Sequence, residues 1–572
     1  MRPEYWPSWW PKAWRSRAKR GDSQTGQSWL RGSPWCMAAR TSMGSASHAV
    51  GALRSTWGLR NASRVCRRCR AWETTFRCVC MPSRVRRCSD DFAAPVFDGA
   101  FSKSPPHVLR APCGNQGGRG EGYHPYWHQT PSPTHSPHRS RGGARATTPM
   151  LGPMSEALQL HRATLDNGMR VVVNPDTTSP GVAVNVWYRV GSADEEAGHF
   201  GFAHLFEHLM FSGTTSGIAS SEHLATIESV GGSANASTSF DRTNYFETVP
   251  AGALELALWL EAERLAHLAV TEANLATQRE VVKEEKRQRY DNTPYGDLLD
   301  MLLDGRFGSE HPYGHPTIGS VPDLDAACLD DVTAFHSTWY RPDNAVLVIS
   351  GCVEADEGLT LADKYLGAVP AATGDLPERI QGRVRHDNPR VVVTRPLPRT
   401  AVTRAWATPP ITNPDNLTVA MATDILGSGM SSRLIRTLER ERHLVDGVGM
   451  NDFGLARGTS AALVSAHLKP GVSEEELTGA VDEIITELAA NGPSQAELER
   501  ARAQVERSWL ESLAVVDERA DLLNMHESLL GDAALVNTHL DRIRAITADH
   551  IAEAARRWLS PHQASTVVHQ EA

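Results

Sequence analysis

No stretch of this 572-residue chain is apolar over the ~18–20 residues that a membrane-spanning helix needs. The N-terminus also lacks the ordered charge, apolar core and small-residue cleavage site of a secretory signal. Cysteine almost disappears after residue 150, where only Cys328 and Cys352 remain, too few for a disulfide framework. Acidic residues are scarce at one end only. Residues 1–150 hold 24 Lys and Arg against 7 Asp and Glu, a balance of +17, whereas the remainder holds 34 against 60, or −26. These absences argue against a membrane span and a small disulfide-stapled domain, and a cytoplasmic protein is the simplest reading.

The length exceeds what one hydrophobic core organises, so two or more domains are expected. The first is residues 1–155, a basic extension with seven of the nine cysteines and nine of the fifteen tryptophans. It shows no sustained helical or strand period, and Pro, Gly, Ser and Arg dominate from Pro105 to Arg145, so most of it is expected to be disordered. Cys66, Cys69, Cys78, Cys80 and Cys88 lie in an Arg-rich setting, but the second pair lacks a ribbon's two-residue gap and no His follows at finger spacing. No nucleic-acid partner is expected from it. A transit peptide would share the Arg-rich, acid-poor bias but not the length or the Trp and Cys content. The favoured expectation is a start placed too early, with Met150 or Met154 as the first residue.

What is present begins with His204-Leu205-Phe206-Glu207-His208. Residues four apart on a helix stack on one face, and the residue three along flanks them. Two imidazoles can thus hold one Zn²⁺ while Glu207 takes a proton from water activated by the metal. The order H-x-x-E-H is the inverted form of the commoner H-E-x-x-H zinc motif. The plain alternative is a helix with two partly exposed histidines and a surface glutamate. Downstream, a segment without Gly or Pro from Thr271 to Tyr290 has helical character and contains Glu280, Glu284 and Glu285.

With that second segment the chain resembles the pitrilysin or insulinase family of zinc peptidases, which includes the mitochondrial processing peptidases. Here 76 residues separate His208 from Glu285, in a helix reading Glu280-Val281-Val282-Lys283-Glu284-Glu285. The resemblance implies Zn²⁺ as cofactor, His204, His208 and Glu285 as ligands, and Glu207 as general base. Glu284 is the alternative ligand, since an offset of one is within family variation; adjacent helical residues point about 100° apart, so one or the other serves but not both. Gln278 stands where relatives often carry a glutamate, so tuning of the site is expected to differ. Gly231-Gly232-Ser233-Ala234-Asn235-Ala236 reads as a strand or hairpin. By resemblance it is a sheet edge to which an extended peptide adds as a strand, with Asn235 and Ala236 touching substrate. His311 and His315, in a Pro- and Gly-rich loop, are read as structural.

The expected fold is α+β: two homologous domains at 156–375 and 376–572, each a mostly antiparallel sheet covered by helices. Leu275 and Leu498 open similar helices after a Thr or Ser cap, and aligning them sets Glu285 opposite Ser508. The counterpart of the zinc helix, expected at Ala420–Glu439, has no H-x-x-E-H, so the second domain is read as metal-free. Relatives carry an Arg and a Tyr that help bind substrate; Glu439 and Asp446 occupy those positions here. The expectation is a zinc endopeptidase acting on peptides or unfolded segments, paired with a related zinc-less subunit that supplies both groups. The alternative is a non-catalytic structural or binding subunit.

Overall fold

The computed structural model describes residues 157–382 and 384–572. The expectations for residues 1–155 lie outside the described residues. The first half opens with β1 (His161–Thr164), β2 (Arg170–Pro175), β3 (Gly181–Tyr188), α1 (Phe202–Leu209) and α2 (Glu222–Ser229). It continues through β4 (Ser233–Thr238), β5 (Thr243–Pro250), α3 (Leu254–His267), α4 (Glu272–Lys286) and α5 (Leu298–Phe307). It closes with α6 (Val321–Ala326), α7 (Leu329–Trp339), β6 (Ala345–Gly351) and α8 (Ala355–Tyr365). The second half has β7 (Arg390–Arg395), β8 (Ala401–Thr408), α9 (Asp415–Gly427), β9 (Val445–Asp452), β10 (Ser460–Leu468) and α10 (Glu474–Asn491). Then follow α11 (Gln495–Ala514), α12 (Val516–Leu529), α13 (His539–Ala545), α14 (Ala548–Trp558) and β11 (Ser565–Glu571).

The first sheet has the order β1-β2-β6-β3-β5-β4, and the second β7-β11-β8-β10-β9. Setting β1 aside, both run first, fifth, second, fourth, third in chain order. In each, the first and fifth strands are parallel and every other pair is antiparallel. The fold is therefore the expected pair of homologous, mostly antiparallel sheets covered by helices. Helices α4 and α11, which carry Leu275 and Leu498, also match in their caps: Thr271 accepts from Asn274 N, and Ser494 from Glu497 N.

Each sheet buries one face under its own half's helices and the other under a helix from the opposite half. On the first sheet, Val172, Ala183, Val346 and Val348 pack with Ala520 and Leu523 of α12. On the second, Ala405 and Val567 pack with Leu302 of α5. This exchange explains why β3, whose sequence alternates, is buried at every residue from Val182 to Tyr188. Its polar Asn185 is satisfied across the interface, donating to Asp521 Oδ1 at 3.2 Å and accepting from Asn524 Nδ2 through its backbone oxygen at 2.9 Å.

The helix expected at Ala420–Glu439 is two elements, α9 and a separate π-helical turn at Ile435–Glu441. At the break Gly427 packs so closely on β9 that a Cβ there would lie 2.1 Å from Met450 N, and Gly429 takes a left-handed φ of 80°. Likewise α4 ends at Lys286 and passes into a π turn at Arg287–Asp291 instead of running straight to Tyr290. Among the described residues no helix is long and apolar enough to cross a membrane.

Candidate metal centre

Helix α1 is sorted by its own sequence. Phe202, Leu205, Phe206 and Leu209 are buried in the core, where Phe206 stacks on Phe335 and its carbonyl accepts from Tyr245 Oη at 3.1 Å. The opposite face carries His204, Glu207 and His208, with the two imidazole rings 5.0 Å apart. Helix α4 is oriented by burial of Leu275 and Val282. Glu285, three residues past Val282, consequently faces α1.

The Glu285 Oε2 atom lies 3.4 Å from His208 Nε2 and 3.7 Å from His204 Nε2. One donor atom from each of the three residues falls within 4.8 Å of the other two. Bonds of about 2.0–2.1 Å at a tetrahedral angle separate ligand atoms by about 3.3 Å, so the spacing fits one small ion. The donor chemistry fits as well. Burial lowers the His204 pKa, favouring the neutral imidazole that binds metal, although Glu207 and Glu285 oppose the shift. Burial alone would raise the Glu285 pKa, but His208, His204 and Arg289 outweigh it and hold it down at about 2, keeping the ligand anionic.

Glu284 does not join the cluster. It is half exposed, accepts from Gln288 Nε2 at 2.7 Å and pairs with Arg287. Glu207 Oε2 accepts from Thr238 Oγ1 at 2.6 Å, tying α1 to the last residue of β4. Asn235 and Ala236 lie in β4, one of the two edge strands of the first sheet. There the Asn235 side chain accepts from Ala236 N at 2.9 Å. Gln278 donates to Ser212 Oγ at 3.4 Å, while the buried His204 Nδ1 has no partner among the described residues.

Two features of this region escape sequence reasoning. Arg289 NH1 pairs with Glu285 Oε1 at 2.5 Å, leaving Oε2 to the imidazoles; its i+4 spacing was a usable signal. The second is another buried cluster of metal-ligand types, His223, Glu247 and Glu261, also within 4.8 Å of one another. Arg264 already pairs with Glu261 there and lies over the Tyr245 and Phe211 rings at 4.4 and 4.9 Å. Burial pushes His223 down to about 3 and raises Glu247 and Glu261 to about 7 each. With a neutral imidazole, one guanidinium and two carboxylates, a single shared proton gives neutrality, whereas a divalent ion would leave excess positive charge buried. Arg264, paired with Glu261, supplies the positive charge of this cluster.

Residues 170–320 match the family profile described as Insulinase (Peptidase family M16), and residues 327–505 that of the Peptidase M16 inactive domain. The zinc protease PqqE of Helicobacter pylori is 30% identical over 366 residues, covering 63% of this chain and 81% of the relative. An uncharacterized zinc protease of Mycobacterium leprae is 28% identical, covering 71% and 91%. Among solved structures, a protease from Helicobacter pylori aligns with a TM-score of 0.69 at 26% identity, over 73% of this chain and 100% of that one. A peptidase M16 inactive domain from Pseudomonas fluorescens shares the fold, with a TM-score of 0.65 at 18% identity over 73% and 99%. The chain belongs to the insulinase, or M16, family of peptidases.

Proposed function

We propose that this chain is a zinc-dependent endopeptidase with His204, His208 and Glu285 as metal ligands and Glu207 as general base. The observation that carries the reading is the convergence of two imidazole nitrogens and one carboxylate oxygen within 4.8 Å. Zinc, when bound, supplies a Lewis acid that makes water acidic near neutral pH and polarises a peptide carbonyl. The chain's own residues do the rest. Glu207 takes a proton from the attacking water and returns it to the leaving amine nitrogen. Thr238 holds Glu207 Oε2 by its hydrogen bond, which leaves Oε1 to carry that proton.

The substrate is an extended peptide or unfolded segment added along β4. A strand has backbone donors and acceptors to offer, and β4 is paired only on its β5 side. Ala236 N–H is held by the Asn235 side chain, so binding exchanges that local bond for one to the peptide. The domain division proposed is 156–375 and 376–572; its junction falls between Tyr365 and Arg390, where the described residues form no helix or strand.

The partner proposed is a related zinc-less subunit that supplies an Arg and a Tyr. Asp446 pairs with Arg399 at 3.2 Å, and Glu439 sits in the π turn Ile435–Glu441, so neither position offers the cation or phenol that relatives use. That same pair of positions favours the second reading, a non-catalytic subunit. One experiment separates them. Glu207→Gln should retain zinc and lose about 10²–10⁴-fold in peptide hydrolysis. Equal hydrolysis by Glu207→Gln and the native chain would refute the assigned role, and a native chain without zinc or hydrolysis would favour the non-catalytic subunit.

A further inference from the structure

Helix α1 begins without a cap of its own. Its N-cap residue is Gly201, at φ 107°, a left-handed conformation that glycine tolerates and that leaves no side chain to bind the first free N–H groups. Those groups are met from outside. Glu195 Oε2 accepts from Gly201 N and Glu195 Oε1 from Ala203 N, both at 2.8 Å. The Glu195 side chain is fully buried, and His315 Nε2 lies 3.4 Å from Oε2. Burial pushes the Glu195 pKa up, and the two backbone donors oppose it. A carboxylate at a helix N-terminus also gains from the helix dipole.

The loop carrying His315 completes the socket. Phe200 packs edge-on to the His315 ring at 3.9 Å, Ser320 N donates to Phe200 O at 3.1 Å, and a Cβ on Gly319 would lie 2.3 Å from Gly201 Cα. Both free ends of the Glu195 carboxylate are thus spent on the residues immediately before His204, from a side chain that touches no ligand itself.

We infer that Glu195 is a positioning residue for metal binding: by capping α1 from outside the helix, it fixes the depth and rotation at which His204 and His208 face Glu285. This rests on the zinc reading above. Substituting glutamine keeps the shape but presents an amide where one N–H needs an acceptor. Aspartate keeps the charge one methylene further back.

The test uses the full chain, measuring zinc affinity by competition with a chromophoric chelator and thermal unfolding of the metal-free form. Arg433→Gln serves as a control, because Arg433 forms a buried two-point pair with Glu497 in the second half. Glu195→Gln should weaken zinc by about 10–100-fold, the range for residues that support metal ligands. Glu195→Asp should fall between it and the native chain, and Arg433→Gln should leave zinc affinity unchanged while lowering the unfolding temperature. If Glu195→Gln does not fold, the aspartate variant alone decides, by weakened or native zinc affinity. Native affinity in the folded variants, or equal loss in Arg433→Gln, overturns the positioning role and leaves the peptidase reading standing. A native chain that binds no zinc overturns both.

Discussion

Glu284 and Glu285 are neighbours of one kind on one helix, yet only Glu285 meets the imidazoles. The difference is rotation: burying Leu275 and Val282 turns Glu285 inward and leaves Glu284 with Arg287 at the surface. Family resemblance left both as candidate ligands, and the apolar positions of α4 held the information that separates their directions. Glu285→Gln should therefore reduce zinc affinity by more than the ~10–100-fold that loss of a supporting residue brings. Glu284→Gln should leave it unchanged; equilibrium dialysis with metal analysis checks both. The grouping of His204, Glu207 and His208 on one helix face was legible because their spacing is local. Glu195 was not, since its role depends on a loop doubling back to an uncapped helix start, and no period or motif encodes that.

At the scale of elements, local patterns gave strands and helices but not their second contacts. The alternation of β3 reads as one face in and one face out. In the structure α12 covers the face that the pattern leaves open, and Asp521 makes that cover specific. Its Oδ1 accepts from Trp187 Nε1 and Asn244 Nδ2, both at 2.8 Å, and from Asn185 Nδ2 at 3.2 Å. Asn244 in turn accepts from Ser237 Oγ at 2.7 Å and Arg242 NH1 at 2.9 Å, which links the second half to the β4 edge. Asp521→Ala leaves these donors without their acceptor and should cost about 1–3 kcal/mol, read from urea unfolding. An unchanged midpoint would show that water replaces the carboxylate at no cost. The need for glycine at 427, the last residue of α9, was likewise hidden, because what a Cβ there would meet is Met450 on β9.

At the scale of the whole molecule, one five-strand order is used twice, and the halves cross-cover each other with α5 and α12. The repeat was legible from two capped helices, while the exchange of covering helices was not, because it is a property of neither half alone. Chemistry is divided unequally between them. Among the described residues, both groups of metal-ligand side chains lie in the first half, and one of these already has its cation in Arg264. The expectation is therefore a single ion at a single place. Diffraction from crystals of the zinc-loaded chain, recorded above and below the zinc absorption edge, measures that place directly. One anomalous peak per chain is expected, about 2.0–2.2 Å from His204 Nε2, His208 Nε2 and a Glu285 oxygen. A peak among His223, Glu247 and Glu261 instead, or none near α1, would contradict it.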